Sequence, residues 1–298
     1  MQNDIYTRVT NLIIEQLEKG VIPWKSPCFS TVGFPRNYSS RKPYSGINVF
    51  LLVSLRFTSP FFLTYLQAQE LGGHVKKGEK GFLVIKYGTY SPAEHGEAAT
   101  CDEPAKTRGF LKGYTVFHAS QIEGISFPEP ETAPELPASA ACDRARALVA
   151  GMPNPPKFEQ GSAVPCYRRS SDSVNMPERR FFTSEEAYYS TLFHELTHAS
   201  GHQSRLARAS LLESKGIEAN GEARKTYAEE ELVAEMGASF LCAHAGIIEA
   251  ELENSAAYLQ GWIDALKSKD AKGWIIRAAS QAQTAADYIL NIQAEVQP

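Results

Sequence analysis

The sequence predicts an α+β protein of two domains, and three observations predict it. Helical and strand-like patterns mix over residues 1–125, apolar stripes at helical spacing dominate residues 140–298, and the stretch between them (SFPEPETAPELPAS) carries four prolines and three glutamates without a basic residue. That last composition suits a linker, because proline cannot donate to a regular ladder and like charges extend the chain. The chain is 298 residues long and 43% hydrophobic, enough for two packed cores. The expected division is 1–125, a linker over 126–139, and 140–298.

Charge divides at the same place. Residues 1–125 carry 14 Lys and Arg against 10 Asp and Glu, whereas 126–298 carry 16 against 24, so the net charge of −4 hides a basic first part and an acidic second one. A basic first part suits an anionic partner. No apolar run approaches the roughly 18 residues of a membrane span, and the start, MQNDIYTRVT, lacks the basic-then-apolar pattern of a signal peptide. The five cysteines are an odd number with no C-x-x-C pair, which implies neither a disulfide framework nor a cysteine zinc site. A reduced, cytoplasmic protein without membrane contact is expected.

In chain order, Ile5, Val9, Leu12, Ile13 and Leu17 keep helical spacing up to Gly20. The irregular stretch 23–49 follows, in which Lys25, Arg36, Arg41 and Lys42 alternate with Trp24, Phe29, Phe34, Tyr38 and Tyr44. Cations interleaved with flat rings suit single-stranded nucleic acid: phosphates meet the cations, and each base stacked on a ring contributes about 1–3 kcal/mol. The same aromatics would equally pack a loop-rich core. Thr64 is a candidate cap for a short helix ending at Gly72 and Gly73. Next, HVKKGEKGFLVIKYGTY reads as a strand, a turn bearing Lys76, Lys77 and Lys80 at its tip, and a second strand. That turn is a second candidate phosphate contact. Residues 90–108 read as a loop and 114–119 (YTVFHA) as a closing strand.

The second part is organised around TLFHELTHASGH at 191–202. On a helix, residues four apart share a face, so His194 and His198 are spaced to hold one metal ion while Glu195 points at a water on it. Ser184 as cap, two glutamates after it, and the stripe Tyr188, Leu192, Leu196, Ala199 predict a helix over 185–200 closed by Gly201. A third ligand is needed. YAEEELVAEMGASFL at 227–241 offers Glu231 as ligand and Glu235, one turn on, as the carboxylate orienting a ligand histidine; reversed roles, Glu230 and His202 are alternatives. An acidic helix start accounts for Glu229–Glu231 as well. Tyr227, ahead of His202 and His244, is the first candidate to donate to a developing oxyanion. The stretch 203–224 is polar and could fold over the site. The segment 163–177 is strand-like at both ends, as an edge strand for an extended peptide would be. Arg168, Arg169, Arg179 and Arg180 around it are also consistent with a nucleic-acid path. Two more helical stripes, Tyr258 to Leu266 and Ile275 to Ile289, close the chain.

LEKGVIPW, PYSGIN, LTYLQAQELGGHVKKGEKG, YTVFHASQ, TLFHELTHASGH, YAEEELVAEMGASFL and AASQAQTAADYIL together resemble the ArdC family of plasmid antirestriction proteins, and the first of these motifs resemble part of certain conjugative primases. The resemblance implies an N-terminal single-stranded DNA-binding domain joined to a C-terminal, mainly helical zincin-like metallopeptidase domain. It also implies protection of incoming plasmid DNA during conjugation. The family metal motif falls on His194, Glu195 and His198, and its second-helix motif on 231–235. One Zn²⁺, or another divalent metal, is the expected cofactor, with single-stranded DNA and a host protein or peptide as partners. The alternative is a DNA-coating protein whose metal site is structural or vestigial.

Overall fold

The computed structural model describes residues 4–25, 33–90, 108–129, 137–214, 222–247, 256–267 and 273–292. Phe29, the loop at 91–107, half of the expected linker and part of 203–224 fall outside them.

Helix α1 (Ile5–Glu18) buries Val9, Ile13, Ile14 and Leu17 on one face, and Asp4 caps it by accepting from the Tyr6 amide at 3.4 Å. A single 3₁₀ turn (Pro23–Lys25) then carries Trp24 inward. After strand β1 (Arg36–Asn37) comes α2 (Ile47–Val53), a helix without visible amphipathic spacing because six of its seven residues are buried. Strand β2 (Phe61–Thr64) runs into α3 (Tyr65–Glu70), which opens with a capping box: Thr64 accepts from the Gln67 amide and the Gln67 side chain accepts from the Thr64 amide.

Strand β3 (His74–Val75), β4 (Phe82–Tyr90), β5 (Arg108–His118) and β6 (Ile122–Glu123) complete the first part. The main sheet has the order β1-β2-β5-β4, with β1 parallel to β2 and the rest antiparallel. β3 does not pair with β4 as a hairpin; it pairs with β6. Lys76, Lys77 and Lys80 therefore lie on a connection between two sheets rather than at a hairpin tip, and Lys76 is tied down by donating to the Ser120 carbonyl at 2.9 Å. β5 is 11 residues long, starting well before the expected closing strand.

The second part begins with α4 (Ala138–Gly151), then β7 (Lys157–Gln160), β8 (Cys166–Arg168) and β9 (Ser173–Met176), which form a sheet of order β7-β9-β8 with β8 at an edge. Helices α5 (Glu185–Ser200), α6 (Ala209–Glu213), α7 (Glu222–Ala245), α8 (Ala256–Lys267) and α9 (Trp274–Ile289) follow. On α9, Ala278, Ala279, Ala282, Ala285 and Ala286 are all fully buried, so small side chains let it approach its neighbours closely. No described helix is long and apolar enough to cross a membrane.

The two parts share one core. A single cluster runs from Val9, Ile13, Trp24 and Phe50 through Leu196, Phe240 and Trp262 to Ala279 and Ile289, with two small satellites against the first sheet. Trp24 is the joint. It is 0% exposed, meets Trp262 edge-on at 5.9 Å, donates its indole N–H to Glu235 Oε2 at 3.2 Å, and accepts from the Ser239 hydroxyl through its carbonyl.

Trp24→Ala is expected to remove about 3–5 kcal/mol of stability through the cavity it leaves. Because the core is continuous, thermal unfolding of the full chain should be a single transition. Melts followed by far-ultraviolet circular dichroism and by tryptophan fluorescence should superimpose; two separated transitions would contradict the shared core.

Candidate metal centre and cationic surface

α5 starts at Ser184, whose hydroxyl accepts from the Ala187 amide at 3.1 Å, with Glu185 and Glu186 in the first turn where the helix dipole favours negative charge. Its other end is held by two arginines. Arg205 Nε donates to the Ala199 carbonyl at 2.7 Å and Arg208 Nη2 to the Thr197 carbonyl at 2.8 Å, satisfying carbonyls the helix itself leaves open. The described residues that follow Gly201 thus close the helix end, while 215–221 of the expected covering segment lie outside the described residues. Gly201 has a right-handed backbone (φ −78°), so its role is room rather than a left-handed stop: a Cβ there would stand 2.8 Å from the Arg208 guanidinium carbon.

Where α5 crosses α7, Thr197 faces Gly237; a Cβ at 237 would fall 2.4 Å from Thr197 Cγ2. This close crossing brings His194, His198 and Glu231 together, their ligand atoms all within 4.8 Å of one another. The two Nε2 atoms are 3.2 Å apart, and the Glu231 oxygens lie 3.5 Å from each. Tetrahedral ligands at roughly 2.0–2.1 Å from a Zn²⁺ stand about 3.3–3.4 Å from one another, so the spacing fits such an ion. The set is two imidazoles and one carboxylate, a donor mix that suits Zn²⁺ and other divalent metals. The His194 and Glu231 side chains are 25% and 27% exposed, which leaves the site open to one side. Burial pushes the His194 imidazole down, but Glu231, Glu195 and Glu235 outweigh it and hold it above its ordinary value. The cleft therefore favours a cation. Glu195, on the next helical position from His194, is 7% exposed.

The far nitrogen of His198 is oriented by Glu230, not by Glu235. His198 Nδ1 lies 3.0 Å from Glu230 Oε1, and Glu230 in turn accepts from Arg208 Nε at 2.9 Å, Arg208 Nη2 at 2.5 Å and the Ser210 hydroxyl at 2.6 Å. Burial alone would raise the Glu230 carboxyl; Arg208 and His198 bring it down to about 2. It stays ionised, fixing the His198 tautomer with the proton on Nδ1 and the lone pair of Nε2 toward the cleft. Glu235 faces the other way, to Trp24 and to Lys25 Nζ at 3.6 Å. The reason is helical phase, since Glu230 and Glu235 sit on different sides of α7.

Tyr227 precedes Glu231 by one turn and hydrogen-bonds to it. Burial first, then Glu231, push its phenol up to about 12, so it remains a donor. His202 is held apart from the cluster, with Nδ1 2.8 Å from the Ser204 hydroxyl and 3.9 Å from Asp172. His244 lies 13 residues beyond Glu231, about 20 Å along the helix, with its ring 4.8 Å from that of Phe34.

The residues expected to meet nucleic acid divide into two groups. Trp24 is corrected outright, since an indole with no exposed surface offers no face to a base. Lys25 is engaged between Glu235 and the Tyr258 ring, 4.6 Å from its centroid, and Lys76 is held by Ser120. Tyr44 is half-buried edge-on to Phe62, and Arg36 sits in β1 with its Nε buried. Tyr38 packs edge-on against Phe127 at 4.8 Å, and the Arg41 guanidinium covers its ring at 3.9 Å. Arg41, Lys42, Lys77 and Lys80 are exposed. A tight turn presents the first two: Ser40 donates to Asn37 Oδ1 at 2.9 Å, Asn37 donates to the Lys42 carbonyl at 3.0 Å, and Arg41 takes a left-handed φ of 61°.

Two family models match the chain: the N-terminal domain of anti-restriction factor ArdC over residues 3–117, and a zincin-like metallopeptidase over 144–281. Among solved structures, the metal-free antirestriction protein ArdC of plasmid R388 is 37% identical with a TM-score of 0.73, covering 98% of this chain and 100% of that one. Its Mn(II)-bound form matches at 36% identity and the same TM-score over 99% and 100%. An uncharacterized protein, y4eC, of Sinorhizobium fredii is 34% identical over 99% of this chain and 94% of its own. DNA primase TraC of Escherichia coli is 30% identical over 97% of this chain, which spans only 27% of the primase.

Glu230→Ala is expected to weaken divalent-metal binding by about 10–100-fold by freeing the His198 ring. It should also cost about 3–5 kcal/mol of stability by stranding the Arg208 charge. Glu235→Ala should leave metal affinity near that of the unaltered protein. Calorimetric metal titration of the two variants checks this, and the reverse ranking would return the orienting role to Glu235.

Proposed function

The chain belongs to the ArdC antirestriction family, and from that membership we propose that it binds single-stranded DNA and protects incoming plasmid DNA during conjugation while carrying a metal-dependent peptidase centre. In this reading residues 1–125 take the DNA, 140–298 act on a protein or peptide, and both work in the cytoplasm. The convergence of His194, His198 and Glu231 beside Glu195 carries the peptidase part. The exposed Arg41, Lys42, Lys77 and Lys80 on the basic first part support the DNA part.

A divalent metal, Zn²⁺ in our reading and Mn(II) in the metal-bound relative, would polarise the scissile carbonyl and make a nearby water acidic. Glu195 is then the base: it takes a proton from the attacking water and returns it to the leaving amine, so the peptide C–N bond breaks with the proton count closed. Tyr227, still protonated, donates to the carbonyl oxygen as negative charge gathers there. Glu230 and Arg208 keep His198 from rotating away. β8, one of the two edge strands of its sheet, would be where an extended peptide adds as a further strand.

Glu195→Ala should retain the metal and lose all hydrolysis, measured on a casein-type substrate against metal content; cleavage surviving in that variant removes Glu195 from its role. Tyr227→Phe should lower kcat by about 10²–10³ with metal affinity intact. Arg41→Ala with Lys42→Ala should lower affinity for single-stranded oligonucleotides and reduce the salt slope by about 0.7 for each phosphate no longer neutralised. Plasmid-transfer efficiency into a restricting host then separates the two activities. Loss in the Arg41/Lys42 variant alone would mean that DNA occupancy protects and the metal centre is structural or vestigial.

A further inference from the structure

One face of the β4–β5 ladder buries Val84 and Val116 at one end and displays cations and rings to solvent at the other. Lys86 stands directly opposite Lys112 in the register, and directly opposed residues of an antiparallel pair project to the same face. Like charges so placed destabilise a sheet. Both lysines are exposed, and neither forms an ion pair among the described residues. Phe110 and Tyr114 flank Lys112 on the same face, two residues to either side, and are 42% and 37% exposed. The Phe110 ring lies down over Gly88, where a Cβ would come within 2.5 Å of it, so the glycine lets the ring rest flat on the strand. Lys112 Nζ is 5.4 Å from the Tyr114 ring centroid. Aromatic, paired cations and aromatic thus follow one another along about 14 Å of strand.

We propose that this face, formed by Phe110, Lys86, Lys112 and Tyr114, is a stacking platform for single-stranded nucleic acid, distinct from the loop that carries Arg41 and Lys42. The proposal rests on the DNA-binding reading above and locates its base contacts. Bases lie on the two rings and the intervening phosphate meets the lysine pair, which offsets the repulsion the free protein carries there. Rings on both sides of the cations favour unstacked bases over an acidic peptide, which would need donors and not flat apolar faces.

Fluorescence anisotropy of the full chain with labelled oligothymidylate at several salt concentrations tests it. Tyr114→Ala and Phe110→Leu should each weaken binding, by between about fivefold and a hundredfold for a ring removed entirely, with little change in salt slope. Lys86→Thr and Lys112→Thr should each lower that slope by about 0.7 and also raise the thermal midpoint, since a like-charge neighbour is removed. Weaker binding by a better-folded protein cannot come from misfolding. Unchanged affinity and slope in all four variants, while Arg41→Ala with Lys42→Ala lowers both, would overturn this platform and leave the DNA reading standing. Absence of binding by the unaltered protein would remove both. Equal competition by polyglutamate, abolished by the same ring substitutions, would assign the face to an acidic protein instead.

Discussion

Everything at the metal centre depends on how closely two helices cross. Thr197 of α5 and Gly237 of α7 meet with no room for a side chain between them, and Thr197 keeps its own hydroxyl occupied by donating to the Phe193 carbonyl at 2.8 Å. At that separation the side chains one and two turns earlier on α7 reach those on α5 without a bridging loop. A larger residue at 237 would spread the helices and lengthen every distance in the cluster at once. The site is held by the scaffold more than by its own hydrogen bonds, which is what a group of electron-rich ligand atoms needs before any ion arrives.

The next layer is electrostatic. Arg208 has 4% of its side chain exposed and Glu230 has 2%, so the pair is buried, and burial of two charges is costly unless every lone pair and N–H is used. Here each Arg208 nitrogen and each Glu230 oxygen has a partner: Arg208 serves Glu230, the Thr197 carbonyl and the Ser200 hydroxyl, and Glu230 serves Arg208, His198 and Ser210. The same arginine closes the open end of the helix that bears the histidines. A structural cap and a ring-orienting carboxylate are therefore one network, and neither can be altered without the other.

Much of this is legible in the residue order, and the part that is not has a common cause. The α+β class, the helix from Glu185, its Ser184 cap and the spacing of His194, Glu195 and His198 all follow from local rules. The choice among Glu229, Glu230, Glu231 and Glu235 depends on the rotational phase of α7 against α5, which no single helix specifies: Glu229 faces Arg277 at 3.5 Å, and Glu235 faces the first part of the chain. Trp24 reads alike as a stacking platform or as core, because its partner Glu235 is 211 residues away. α2 is invisible for the opposite reason, since a helix buried on all sides leaves no periodicity. Arg208 hides in what looks like a polar loop, although basic residues just past a helix end are a known cap.

Glu231 turns toward the histidines while Glu235, one turn along the same helix, grips Trp24 and Lys25. The proline-rich stretch at 126–139 therefore joins two domains whose buried faces meet in one continuous core. Cleavage within it would yield a nicked molecule whose pieces stay clasped, and the same pieces made from separate messages should find each other by fragment complementation, with the indole serving as the latch.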